Sequence, residues 1–137
     1  MDYEQWKIKQ FNLWNLYLHK NQYPYLGRCY ASAIRKDADI VTDMTKEESE
    51  ELFSQIIPAW HKTITDLFGT SRPNVALFGN EWNHLHAHLI PRFSSKEQYG
   101  ITFIDPNPKG NYAPYPKREI PKDILLQIKE DIMHKIK

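Results

Sequence analysis

Apolar positions along the chain fall into short runs of β character, one long helical repeat and a shorter one at the end. Residues 13–18 (Leu-Trp-Asn-Leu-Tyr-Leu) and 28–34 (Arg-Cys-Tyr-Ala-Ser-Ala-Ile) are rich in aromatic and β-capable side chains. Between them lies Asn21-Gln22-Tyr23-Pro24-Tyr25-Leu26-Gly27, so the two runs predict a hairpin with turn chemistry at its centre. Thr45 followed three residues later by Glu48 has the form of a capping box, and Leu52, Ile56, Trp60 and Ile64 recur every four residues as far as Phe68. This predicts a long amphipathic helix, kinked at Pro58, which cannot donate to the carbonyl four residues back, and stopped at Gly69. Two further runs, 74–78 and 84–90, are read as strands joined by Gly79-Asn80-Glu81-Trp82-Asn83. Residues 93–119 are proline-rich and show no sustained period, which predicts a functional loop or a disordered stretch. Pro121 suits a first helical turn, and Ile124, Ile128, Ile132 and Ile136 predict the buried stripe of a final helix. The order β-β-α-β-β-α, after an ambiguous N-terminal segment, predicts an α+β fold: an antiparallel sheet with the long helix packed on it and a C-terminal helix.

Length and composition narrow the class. With 137 residues, 41% apolar and 26% charged, the chain reads as one globular domain over 1–137, with no repeat and no linker. Such a domain has enough core to fold without disulfide or structural metal. The lone Cys29 forms no internal bridge and no Cys-x-x-Cys motif, and is read as a small buried hydrophobe in a reducing compartment. No apolar run reaches the roughly 18 residues of a membrane span. The first twenty residues carry Asp2, Glu4, Lys7, Lys9 and Lys20 in place of a signal-peptide core, so the expectation is a cytoplasmic protein with no membrane partner. A net charge of +1 argues against a protein that lives on nucleic acid, and no sequence-specific nucleic-acid partner is expected. That balance hides an asymmetry: residues 1–69 hold eight basic and ten acidic side chains, residues 70–137 ten and seven. A small anionic ligand would prefer the second half.

Candidate chemistry is concentrated in His84-Leu85-His86-Ala87-His88-Leu89-Ile90. On a strand, successive side chains alternate between faces, so the three histidines would share one face while Leu85, Ala87 and Leu89 pack beneath the long helix. Chance placement of this chain's histidines yields about 0.01 such His-x-His-x-His matches. The remaining His19, His61 and His134 are read as surface or core residues. Two chemistries compete for the row. Metal binding through His-x-His needs a further ligand, because His84 and His88 would stand about 13 Å apart on an extended strand. His19, His61, Asp37, Asp39 or Glu81 could supply it. Phosphoryl transfer fits better: a neutral imidazole attacks phosphorus, forms a phosphoramidate and yields to water, while a neighbouring imidazole protonates the leaving oxygen. That scheme requires no metal and no cofactor.

The segment matches the His-φ-His-φ-His-φ-φ signature, φ being apolar, of the histidine triad (HIT) family. Asn21 through Gly27 between two strands, Leu77-Phe78-Gly79-Asn80-Glu81 ahead of the motif and Pro91-Arg92 after it also resemble bacterial and archaeal HIT proteins. Gly110-Asn111-Tyr112-Ala113-Pro114-Tyr115 resembles a tail found in some of them. The resemblance covers residues 12–92 well and the remainder loosely. It implies a nucleotide hydrolase or transferase acting at the α-phosphate of nucleotidyl substrates, dinucleoside polyphosphates or nucleoside phosphoramidates. It further implies His86 as nucleophile, His88 beside the scissile oxygen, His84 orienting its neighbours, Asn80 near phosphate, Asn21 near ribose, and a homodimer.

This sequence departs from the family pattern in two places. Where many members carry a histidine after the second strand, it reads Arg35-Lys36-Asp37; Asp37 is expected to be a charged turn residue facing water, with an imidazole-orienting role as the alternative. Glu81 and Trp82 stand where better-studied branches have small residues. In the basic, proline-pinned region, Arg92, Lys109, Lys117 and Arg118 are candidates for outer phosphates, with Arg92 taken as a substrate-binding residue. Tyr112, Tyr115 and Trp82 are candidates to stack on a base or to pack the loop. Two alternatives to the hydrolase remain at this level: a metal-dependent hydrolase and a non-catalytic nucleotide-binding module.

Overall fold

The computed structural model describes residues 3–137. After a 3-10 turn, Glu4–Trp6, the chain forms β1 (Lys7–Gln10), β2 (Trp14–Leu18) and β3 (Cys29–Ala33), with a second 3-10 turn at Val41–Asp43. A helical stretch follows as α1 (Lys46–Glu51), a π turn (Leu52–Ile56) and α2 (Ile57–Phe68). Then come β4 (Arg72–Ala76), β5 (His86–Arg92), β6 (Ser95–Gln98), β7 (Ile101–Ile104) and α3 (Lys122–Lys135). Strands β1 to β5 make one antiparallel sheet in the order β1-β2-β3-β5-β4, and β6 and β7 form a separate hairpin. The α+β architecture expected from the residue pattern is therefore present.

Pleating sorts the sheet into two faces. Leu16, Leu18, Cys29, Ala31, Ala87 and Leu89 point to one side and bury with Ile56, Trp60 and Ile64 of the helix and with Ile128 and Ile132 of α3. The Cys29 thiol is part of that core, and burial pushes its pKa up. Tyr17, Tyr30, Ser32, His86 and His88 point to the other side, where, among the described residues, no helix covers them. Along the helix the capping box forms as expected: Thr45 Oγ1 accepts from Glu48 N at 3.1 Å, and Glu48 Oε1 accepts from Thr45 N at 2.8 Å. Glu48 also takes Arg35 Nε at 2.9 Å and Nη2 at 3.0 Å.

Three local expectations need correction. Pro58 does not act as a simple kink. The π turn directly before it lets Ile57 N donate to Leu52 O, and Pro58 sits in the first turn of α2, where a missing N–H costs little. Residues 93–119 are not all loop. The β6–β7 hairpin closes through Tyr99 and Gly100, whose φ angles of 56° and 74° fit a tight two-residue turn of the primed type, and Ile101 and Phe103 bury while Thr102 and Ile104 do not. The third correction concerns the histidine segment: β5 starts at His86, so His84 is not on the strand. Ala33 N donates to Leu85 O, but Leu85 N turns away to Ala38 O at 3.0 Å, and the chain leaves the ladder there.

Candidate active site

His86 and His88 lie two residues apart on β5, opposite Ser32 and Tyr30 of β3, and therefore share the uncovered face of the sheet. They form part of the wall of a cavity of about 480 Å3. Tyr3 and three loops supply more of the wall: the β2–β3 connection with Asn21, the 77–85 segment with Asn80, Glu81 and Trp82, and the tail that links β7 to α3, with Tyr112, Tyr115 and Lys117. The two imidazoles are 5.1 Å apart between centroids and nearly perpendicular, at 80°. Trp82 packs on His86 with ring centroids 4.7 Å apart, and the residue is 7% exposed. The ring is covered from the cavity side, not sunk into the hydrophobic core.

Carbonyl oxygens set the tautomers, since a carbonyl only accepts. His86 Nδ1 donates to His84 O at 2.6 Å, which leaves the lone pair on Nε2. His84 Nε2 donates to Ala33 O at 2.7 Å, so the ring of His84 is tied to the end of β3 behind Trp82 and does not line the cavity. Its contribution to its neighbours runs through its own backbone carbonyl. His88 is half-buried with Nδ1 unpartnered, and its pKa is lowered to about 4, first by burial, then by the Arg28 charge and His86.

A third imidazole, His19, joins this group. Its ring lies 5.8 Å from that of His88 and 6.0 Å from Tyr30. Asn21 N donates to its Nδ1 at 3.0 Å, which leaves Nε2 protonated in the neutral ring. Burial, followed by the charge of Arg28, lowers its pKa to about 2. Arg28 is 3% exposed and also lines the cavity. Reading His19 as an ordinary surface or core residue and leaving Arg28 unassigned missed both. The signal was in the hairpin: Tyr17 pairs with Tyr30 and Leu18 with Cys29, and His19 N donates to Arg28 O at 3.0 Å, so the same register sets His19 against Arg28.

Of the residues assigned from the sequence, His86, His88, Asn21 and Asn80 come together at the cavity, as do Trp82, Tyr112, Tyr115 and Lys117. Arg92 does not, and its assignment to substrate binding is corrected. Its guanidinium is buried, donates from Nε and Nη2 to the Asp105 carboxylate at 2.7 and 3.2 Å, and is further held by Asn74 Oδ1, Gly110 O and Asn107 O. Each of its three nitrogens is engaged in holding the tail against β5. Lys109 and Arg118 also stand off the cavity. Asp37 is the exposed turn residue expected, paired with Arg35 at 3.2 Å. Among the described residues, no three His, Cys, Asp or Glu side chains are gathered as a metal-ligand set, and no helix is long and apolar enough to cross a membrane.

This sheet order, with two adjacent histidines on its open face, defines the histidine triad fold, and comparison with solved structures shows the same. A histidine triad protein from Bradyrhizobium japonicum superposes with a TM-score of 0.73 at 17% identity, covering 96% of this chain and 90% of that one. A second, from Sinorhizobium meliloti, gives 0.69 at 19% identity over 95% and 88%. The diadenosine triphosphate hydrolase of Plasmodium falciparum, in complex with cyclomarin A, gives 0.56 at 14% identity over 96% and 74%. No family model and no curated protein matches the sequence.

Proposed function

We propose that this protein is a nucleotide hydrolase or transferase that works at the α-phosphate of nucleotidyl compounds, dinucleoside polyphosphates or nucleoside phosphoramidates, through a covalent intermediate on His86. The observation that carries this reading is the hydrogen bond from His86 Nδ1 to the His84 carbonyl, which puts the lone pair of the neutral ring on Nε2, in a residue of the cavity wall. In the reaction, the Nε2 lone pair forms a bond to phosphorus as the bond to the leaving group breaks, and water later cleaves the phosphorus–nitrogen bond. His88, the adjacent ring, would carry the proton to the leaving oxygen. An anion bound beside it offsets the burial that holds its pKa low and so favours the proton-loaded form. Asn21 and Asn80 line the same cavity, which supports assigning them to ribose and phosphate, and Trp82, Tyr112 and Tyr115 offer aromatic surface to a base. A small-molecule nucleotide is thus the partner, and the chemistry asks for no resident metal.

Turnover of a nucleoside phosphoramidate and a dinucleoside polyphosphate by wild type and His86→Ala tests the reading. The variant is expected to lose activity by at least ~1,000-fold, on the scale of removing a nucleophile, with its circular dichroism unchanged. EDTA is expected to have no effect beyond metal-complexed substrate. Activity retained in the variant removes the nucleophile role, and nucleotide binding without product by wild type leaves a binding module. A homodimer, which the resemblance in sequence implies, belongs to the same proposal, supported by Ile40 and Val41, adjacent and about half exposed at 53% and 52%.

A further inference from the structure

Two arginines of this chain are buried to a similar degree, Arg28 at 3% and Arg92 at 5% exposure, and they are served very differently. Arg92 has the Asp105 carboxylate and three further oxygens. Among the described residues, Arg28 has no carboxylate at ion-pair distance. Its guanidinium donates from Nη1 to Tyr115 Oη at 2.7 Å, and Nε is buried with no acceptor. The rings of Tyr112 and Tyr115 each lie 5.4 Å from its Cζ. Cation–π contact of this kind offsets part of the cost of removing a guanidinium from water, but it supplies no countercharge.

The main chain of Arg28 is fixed as well. Its backbone N donates to Tyr25 O, and its carbonyl accepts from His19 N and from Gln22 Nε2. Gln22 is itself buried and takes Gly27 N on its Oε1 at 2.7 Å, so one amide staples the connection on both sides of Arg28. The tyrosines are anchored as well, since Tyr25 Oη donates to Tyr112 O at 2.5 Å. A charge is thus held rigidly at the cavity wall beside His19, whose Nε2 carries a proton, and Lys117. Among the described residues, the one carboxylate on that wall, Glu81, is exposed.

We infer that Arg28 is the anion-recognition residue of this site, binding the non-bridging oxygens of a phosphoryl group seated against His88 and His86, with Tyr112 and Tyr115 holding its guanidinium in place. The planar fork suits two such oxygens, and the anion supplies the missing countercharge. This rests on the reading of the cavity as a nucleotide site and names the group that would recognise the phosphate within it.

Equilibrium titration with AMP, adenosine and inorganic pyrophosphate provides the test, using wild type, Arg28→Met and Arg28→Lys. For Arg28→Met, AMP and pyrophosphate affinity is expected to fall tenfold or more while adenosine affinity holds; Arg28→Lys should fall between. The imidazole of His88, followed by NMR, should titrate at higher pH once the neighbouring charge is gone. Equal AMP affinity in wild type and Arg28→Met, or adenosine affinity falling in step with AMP, overturns the inference, as does a wild type that binds neither AMP nor pyrophosphate. Should Arg28→Met fail to fold, thermal shifts decide: AMP must raise the wild-type melting temperature more than adenosine does, and Arg28→Lys must shrink that difference. Binding needs no turnover, so a failure here leaves the His86→Ala result standing, and the reverse also holds.

Discussion

At the scale of single residues, the two neutral, half-buried imidazoles next to Arg28 make stability depend on pH. In the unfolded chain a histidine takes up its proton near pH 6.5. In the native protein His88 does so only near 4 and His19 only near 2, so both contribute stability that is complete above about pH 6.5. As pH falls from there, the unfolded state binds protons that the native state refuses, and stability declines toward pH 4 for His88 and beyond for His19. Each group contributes a slope of at most ~1.4 kcal/mol per pH unit. Urea midpoints are expected to drop between pH 7 and 4.5. His19→Asn, whose amide oxygen can take the Asn21 N–H, should flatten that drop; an unchanged profile removes His19 from the account.

At the scale of elements, the loop carrying the site is seated on the long helix through a glycine. Gly27 has φ = +94°, which other residues adopt only with strain, and a Cβ there would stand 2.6 Å from Ile64 Cδ1. Trp60 Nε1 donates to the Gly27 carbonyl at 3.0 Å, so helix and loop meet at this residue. Gly27→Ala is expected to cost about 2–4 kcal/mol in urea unfolding, from backbone strain together with overpacking of a closed core. Adding Ile64→Val, which deletes the offending methyl, should recover the steric share and leave the backbone share. No recovery would show that the contact with Ile64 is not the cause. The capping box and the fourfold repeat made the helix readable from the residues alone. The π turn ahead of Pro58 was not readable, because it is a backbone adjustment with no side-chain signature. The β6–β7 hairpin turns through Tyr99-Gly100, not through the usual Asn-Gly or Asp-Gly pair, and its only other sign is the short alternation of Ile101 and Phe103.

At the scale of the whole molecule, the proposed homodimer predicts a particle of about twice 16.3 kDa by light scattering in dilute buffer. A monomer mass would remove that part of the proposal. The sheet and its helices form one side of the molecule, and the tail returns over the opposite side, held by Arg92–Asp105 below and by Tyr25, Tyr112 and Tyr115 above. The +3 excess at 70–137 does bring Lys117 to the cavity, but Arg28, the buried cation there, comes from the acidic half of the chain. Local order was already determined by the residues: the alternation that sets His86 and His88 on one face, the amphipathic helix, the antiparallel hairpins. Those properties depend on neighbours two to four positions apart, and such neighbours are visible in a sequence. Only the tertiary structure decided which of two buried arginines has a carboxylate and which faces an open cavity, that His19 sits beside His88, and that His84 leaves the strand. Each of these turns on contacts between segments a dozen or more residues apart, where a charge is satisfied or stranded according to what the fold happens to set against it.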